Sequence, residues 1–436
     1  MRKVLIYSLL LVLGLAGSQL LPGLLGDAYP SLTTPIRFLT MAALAFIMIR
    51  VGYEFDIDKS NLRQYGWDYV VAFTAATFPW VLVTLYFVFV LLPSDVWSDL
   101  GAWKETLLAG RFAAPTSAGV LFSMLAAAGL GATWVFKKAR ILAIFDDLDT
   151  VLLMIPLKML MVGLAWQLGL IVVVMVGMLG VAYLFMHKLR IPSGWSWVLI
   201  YAVVIAAGSE LIYAGSKLVD ESVPIHLEVL LPAFALGVML AYPRGDAHAA
   251  HAQLEQAGER KAGTAIAAVF MVLVGLSMPS ILAGLGIGAD APASLEAAGA
   301  PAAEASAAEV GKADGIGTVT ASQPPMGAGM IALHVLLVTL LSNLGKMFPA
   351  LVYRREAHWR ERLAVAVGMW PRGEVGAGVL VISLSYGIGG PIVTIAMLSL
   401  ALNLLLTGVF IFAVKRLLAG VPAEAKERTE PVRAAA

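Results

Sequence analysis

Cysteine is absent from the 436-residue chain, so disulfides, thiolate catalysis and cysteine-ligated zinc or iron–sulfur centres are excluded. Charge is scarce as well: 14% of the residues are charged, against roughly 25% in an ordinary soluble domain. The 30 basic and 29 acidic residues leave a formal net charge of +1, so no global field attracts nucleic acid. No His-Glu-x-x-His, Gly-x-Ser-x-Gly or Walker-type phosphate loop occurs. An enzyme is therefore not expected, and nothing calls for a cofactor. What the chain has in abundance is apolar sequence, 60% of its residues. Runs of about 20 apolar residues, each able to cross a bilayer core, recur from Leu5 to Val414.

The expected architecture is an all-α polytopic membrane protein of about 12 transmembrane helices, near 4–22, 35–53, 67–92, 105–128, 139–160, 164–186, 194–214, 226–242, 264–286, 328–352, 363–387 and 391–414. The first lacks a small-residue cleavage site and reads as a retained span. With the N-terminus cytoplasmic, 21 basic residues fall on inside segments, five outside, and four (Arg50, Arg111, Lys346 and Arg372) within spans. Both termini are then cytoplasmic, and a bacterial inner membrane is the simplest location. Residues 287–327, rich in Ala, Gly and Pro, read as a flexible extracytoplasmic loop, and 415–436 as a short cytoplasmic tail. The segment 243–263 reads as a short polar interfacial helix. Its His248 and His251 are spaced i,i+3 without a further ligand, so a metal site is not expected there.

Two spans carry Pro and Gly where a continuous helix would not. The fourth contains Gly110-Arg111-Phe112-Ala113-Ala114-Pro115-Thr116-Ser117-Ala118-Gly119, and the eleventh Gly368-Met369-Trp370-Pro371-Arg372-Gly373-Glu374. One breaks about ten residues from its outer end and the other about ten from its inner end. The two prolines are 256 residues apart, and the same step carries Asp147 of the fifth span to Asn403 of the twelfth. This pattern predicts inverted-topology repeats, 67–160 and 328–414, that form an ion-translocating core, because discontinuous helices in matching positions point to a transport site.

The fifth span holds Asp146, Asp147 and Asp149 inside an apolar helix. Each intramembrane charge costs at least roughly 2.5–3.5 kcal/mol, so three imply partners, water or protonation. Asp146 and Asp149 share a face, whereas Asp147 points about 100° away. Lys346 of the tenth span is expected at the same depth as Asp146, about 10–12 Å from the inner boundary, and can pair with it. Arg372 and Glu374 read as a pair that fixes the broken eleventh span, and Arg111 can play the mirrored part in the fourth. A partly dehydrated carboxylate holds either a proton or a small hard cation, and Thr116, Ser117 and freed carbonyls can complete an oxygen shell around Asp147. The chemistry these residues permit is cation–proton antiport.

Gly52-Tyr53-Glu54-Phe55-Asp56, Pro115-Thr116-Ser117-Ala118, Asp146-Asp147, Val274-Gly275-Leu276-Ser277-Met278-Pro279, Gly345-Lys346 and Pro371-Arg372-Gly373-Glu374-Val375 occur in that order. In these pieces the chain resembles the monovalent cation:proton antiporter superfamily over nearly its whole length. The resemblance implies a homodimer in which a core with crossed discontinuous helices, spans 4 and 11, moves against a dimerisation scaffold. It implies Asp147 as the cation and proton carrier, Asp146 as its acidic neighbour paired with Lys346, and Thr116 and Ser117 as the lining of the crossing. It associates an aspartate pair with electrogenic exchange. Asp149 is a third acid beyond the pattern, and Pro371 precedes its Arg-Gly-Glu. The expected cargo is Na+ against H+, with K+ or Li+ open. The alternatives are a K+/H+ exchanger, a passive K+ efflux pathway on the same scaffold, or a sensor that keeps the fold.

Overall fold

The computed structural model describes residues 2–26, 29–53, 62–162, 166–219, 229–241, 249–277, 317–324 and 326–422. Ten helices precede the long loop: α1 Arg2–Leu25, α2 Tyr29–Tyr53, α3 Leu62–Tyr86, α4 Leu100–Gly110, α5 Ala118–Ala127, α6 Trp134–Val162, α7 Trp166–Leu184, α8 Trp195–Val219, α9 Leu230–Met239 and α10 Ala249–Leu276. The stretch expected as a flexible loop, 287–327, ends in a short helix, α11 Thr318–Ala321, and after it come α12 Ala328–Gly345, α13 Phe348–Leu351, α14 Trp359–Gly368, α15 Glu374–Ser385 and α16 Gly390–Ala419. One π-helical turn, Phe87–Leu91, extends α3. Among the described residues the only extended pairing is an isolated bridge between Leu189 and Leu240.

Large apolar side chains lie exposed along the spans, among them Leu9, Val173, Val204, Leu336 and Val409. That arrangement suits lipid as solvent, because helices satisfy their own backbone groups. Six of the described helices are by themselves long and apolar enough to cross a membrane. Two expected spans fall short for a structural reason: each of the fourth and eleventh is two half-helices, α4 with α5 and α14 with α15. The segment expected as a separate interfacial helix differs too. From Ala249 onward it is continuous with α10, as its Ala-rich, proline-free sequence allows. His248 and the side chain of His251 lie outside the described residues, as do Glu54–Asp56, Met278, Pro279, 287–316 of the long loop and the tail from 423.

The helices pack in two groups. In the first, α1 runs along α10, α2 along α8 and α9, and α7 against α9. Backbones approach closely here: a Cβ on Gly275 would collide with the Leu11 carbonyl, and one on Gly237 with the Ile49 carbonyl. Small residues at such crossings are how helices gain packing energy where lipid removes the hydrophobic drive. In the second group α3 lies along α6 and α12, α16 along α12 and α14, and α15 on α16. The groups meet through α1 with α16, and through α5 with α1, α2 and α10.

The second group draws on 67–160 and 328–414. Moved by the 256 residues that separate Pro115 from Pro371, α5 falls on 374–383 and α6 on 390–418; the observed helices are Glu374–Ser385 and Gly390–Ala419. At one end of this group the buried Glu105 carboxylate of α4 accepts N–H bonds from Gly317, Val319 and Thr320 at 2.8, 3.2 and 2.7 Å. The chain that re-enters after the long loop is thereby tied to the first repeat.

Gly275→Leu should force α1 and α10 apart and lower the melting point in detergent, with overpacking costing about 1–3 kcal/mol or more. Gly177→Leu on α7, where a side chain meets open space, should leave it unchanged.

Candidate ion site

In the first broken helix a 3-10 turn, Arg111–Ala113, follows α4, and residues 114–117 are not helical until α5 begins. Pro115 enforces this, since it has no N–H and clashes with the preceding turn. Ser117 caps α5 through its hydroxyl, which accepts from Val120 N at 3.4 Å. In the second, α14 ends at Gly368 and residues 370–373 are not helical before α15 begins. The two interruptions touch. Ser117 N–H donates to the Pro371 carbonyl at 3.0 Å, and the Thr116 hydroxyl to the Met369 carbonyl at 3.0 Å. A Cβ on Gly373 would lie 2.8 Å from Ser117 Oγ, so glycine permits this approach. Backbone groups freed by one break are thus satisfied by the other, the condition for irregular chain at membrane depth.

The acids of α6 stand against this contact. Asp146 is fully buried; both carboxylate oxygens accept from Lys346 Nζ at 2.9 Å, and Oδ2 also accepts Thr116 N–H at 2.7 Å. The expected pair between Asp146 and Lys346 is therefore present, and Lys346 is fully buried. Its position is fixed locally, because α12 ends at Gly345 and Lys346 N–H bonds back to Asn343 O.

Asp147 points elsewhere, as the helical period requires. It is 7% exposed, whereas Asp146 and Asp149 are both 0%. It lines a cavity of about 30 Å³ with Ile144, Leu148 and Thr150 of α6, Met175 of α7, Leu230, Leu231 and Phe234 of α9, and Val375 of α15. That volume admits about two waters, and the cavity lies between the two packing groups.

Asp149 is buried on another side of α6, where Tyr69, Arg111, Asp146 and Lys346 form its polar surroundings. Arg111 Nη2 donates to the Asp149 and Thr150 carbonyls at 3.4 and 3.0 Å, and the guanidinium stacks 4.8 Å over Trp80. Arg372 donates to the Pro115 carbonyl at 3.4 Å and the Ser342 carbonyl at 3.0 Å, which fixes one break to the other. Glu374 begins α15, and its side chain lies outside the described residues. Asn403 is buried in α16 and donates to Ser399 O at 3.2 Å. Thr116 and Ser117 lie where the two interruptions touch; their hydroxyls bond at Met369 and at the α5 cap, and it is the Thr116 N–H that reaches an acid, Asp146.

Three buried carboxylates thus share the core with three buried cations, Arg111, Lys346 and Arg372. Sequence reading missed Trp80, Tyr69 and the carbonyls of Met369 and Ser342. Backbone acceptors carry no side-chain signal, and aromatic residues are unremarkable in an apolar helix.

An all-helical bundle with two interrupted helices meeting beside buried acids defines an integral membrane ion transporter. The family model "Sodium/hydrogen exchanger, transmembrane" matches residues 3–417, and the chain belongs to that family. It is therefore a transporter of the cation/proton antiport type and not an enzyme. The fold is similar to that of the sodium proton antiporter MjNhaP1 from Methanocaldococcus jannaschii, solved at pH 8, with 16% identity, a TM-score of 0.52, and coverage of 94% of this chain and 92% of that one. No curated protein matches the chain.

Lys346→Ala leaves Asp146 as a buried charge without its ammonium. The expected loss, about 3–5 kcal/mol for half of a buried pair, should appear as a lower melting temperature in detergent. An unchanged melting temperature would mean the pair contributes nothing to the fold.

Proposed function

We propose that the chain is a secondary active antiporter that exchanges Na+ for protons, with Asp147 holding each in turn. One observation carries this reading: Asp147 alone of the three α6 acids opens onto the cavity between the packing groups, while Asp146 is committed to Lys346 and Thr116. A carboxylate there, largely stripped of water, has its charge compensated by a proton or by a dehydrated hard cation, and each excludes the other. An oxygen ligand for Na+ is available nearby from Thr150. Thr116 and Ser117 join it when the breaks shift.

Alternating access follows from moving the second group, which bears the site, against the first, since the cavity lies on their boundary. The first group's exposed apolar faces suit a homodimer. The aspartate pair with Lys346 favours more than one proton per cation, hence electrogenic exchange. The excess of basic residues on one set of loops favours both termini cytoplasmic, and a bacterial inner membrane is the simplest location for such a chain. No cofactor enters this reading; the partners are the cation, the proton and the bilayer.

The test is made in proteoliposomes with an imposed pH gradient. Internal pH is followed by dye as sodium, lithium, potassium or choline is added outside. Sodium or lithium, but not choline, should dissipate the gradient, and Asp147→Asn should abolish this in a protein of unchanged elution and melting point. Cation-dependent proton flux persisting in Asp147→Asn would remove Asp147 from the role. A response to potassium alone would make the chain a K+/H+ exchanger, and passive potassium flux without proton movement would make it an efflux pathway.

A further inference from the structure

A second buried charge cluster sits at the end of the core where α3 and α6 begin. Lys138 of α6 reaches both oxygens of Asp68 of α3, at 3.1 and 3.0 Å, and Glu356 Oε2 at 3.1 Å. Its ammonium lies 4.5 Å over the ring of Tyr353 and 5.9 Å from that of Trp134, two rings that pack edge to face. The Tyr353 hydroxyl donates to Asp68 Oδ1 at 2.7 Å. Burial first, and then the neighbouring Asp68 and Glu356 charges, push the Tyr353 hydroxyl above its ordinary range, so it remains a donor across physiological pH. Lys138 and Asp68 are almost wholly buried.

The backbone points to the same tight junction. Tyr353 has φ of +42°, a left-handed conformation that a bulky residue adopts only when its surroundings hold it there. Its carbonyl accepts from Glu356 and Ala357 N–H at 3.1 Å, closing the turn that leads into α14. Arg362 of α14 donates to the Ala350 and Val352 carbonyls at 3.0 Å. The cluster therefore joins three pieces of chain: α3, the start of α6, and the turn before the second broken helix.

Two of those pieces lead straight to the ion site. Nine residues along α6, about 13 Å, bring the helix from Lys138 to Asp147, and α14 brings the turn to Met369, whose carbonyl takes the Thr116 hydroxyl. We propose that Asp68, Lys138, Tyr353 and Glu356 form a clamp that fixes α6 relative to the second broken helix, and that these positioning residues set the affinity of the cation site without touching the cation. A ligand set held by a rigid second layer loses affinity when that layer loosens. This inference rests on the reading of Asp147 as the carrier.

The experiment measures sodium-dependent proton flux in proteoliposomes over a sodium titration, per folded transporter, for the wild type, Tyr353→Phe, Lys138→Met and Lys138→Arg. Tyr353→Phe keeps the ring and removes only the bond to Asp68. It should raise KM for sodium about threefold or more with kcat within about twofold, the signature of lost binding rather than lost chemistry. Lys138→Met should raise KM further, and Lys138→Arg, which keeps the charge for both carboxylates, should recover most of it. Should Lys138→Met fail to fold, Tyr353→Phe decides. A lower melting point with unchanged KM would make the cluster a structural feature only and overturn the proposal, as would a fall in kcat alone. Failure of the carrier reading is separate: it shows as flux persisting in Asp147→Asn, whatever the clamp variants do.

Discussion

The buried bond between Lys346 and Asp146 is the interaction on which the core depends. Both groups are withdrawn from water, and a buried ion is tolerated only when its remaining hydrogen-bonding capacity is met. Here Lys346 supplies two bonds and Thr116 N–H a third. That third bond requires an N–H without a helical partner, which exists only because Pro115 interrupts the helix. The break and the ion pair are thus mutually necessary: without the break Asp146 is under-bonded, and without Asp146 a freed N–H has no acceptor. Because α12 brings the lysine, α6 the acid and the α4–α5 break the amide, one contact holds three elements of the core in register.

Around that contact the two interruptions satisfy each other. The carbonyls of Pro371, Met369 and Pro115 are taken by Ser117 N–H, the Thr116 hydroxyl and Arg372. Arginine suits this place because its planar fork can address several carbonyls and its charge persists when buried. Arg111 does the same for the α6 carbonyls at Asp149 and Thr150, backed by the Trp80 face. The cations therefore act on backbone dipoles as well as on the three acids, which allows such a concentration of charge at membrane depth.

How much of this was legible in the sequence depends on whether a feature has a side-chain signature. The breaks at Pro115 and Pro371 were legible because each proline stands in a stretch that also carries glycine and charge, whereas Pro79 and Pro156 lie within the continuous helices α3 and α6; the 256-residue step between the breaks also relates α5 to α15 and α6 to α16. The pairing of Asp146 with Lys346 was legible because depth follows from counting residues along a helix. The allocation of Thr116 was only half visible: its presence at the crossing could be read, but an N–H on Asp146 and a hydroxyl on Met369 depend on local geometry. Lys138 looked like one more basic residue of an orienting loop, because nothing in its neighbourhood of the sequence announces Asp68, seventy positions earlier, or Tyr353, far later. Long-range pairs between ordinary residues are where pattern reading stops.

The surroundings of Asp147 also bear on why exchange is obligatory under the proposed reading. What separates the loaded forms of the site from the unloaded form is local. Asp147 faces Leu230, Leu231, Phe234, Met175 and Val375, an apolar wall belonging partly to the helices against which the core would slide. A bare carboxylate carried past that wall meets side chains that offer it no polar group, a cost of several kcal/mol on ordinary transfer scales. Neutralised by either cargo, it passes with little penalty. The coupling of cation to proton then needs no dedicated gate: under the proposed reading it follows from one acid beside the contact of the two breaks being aimed at an apolar wall.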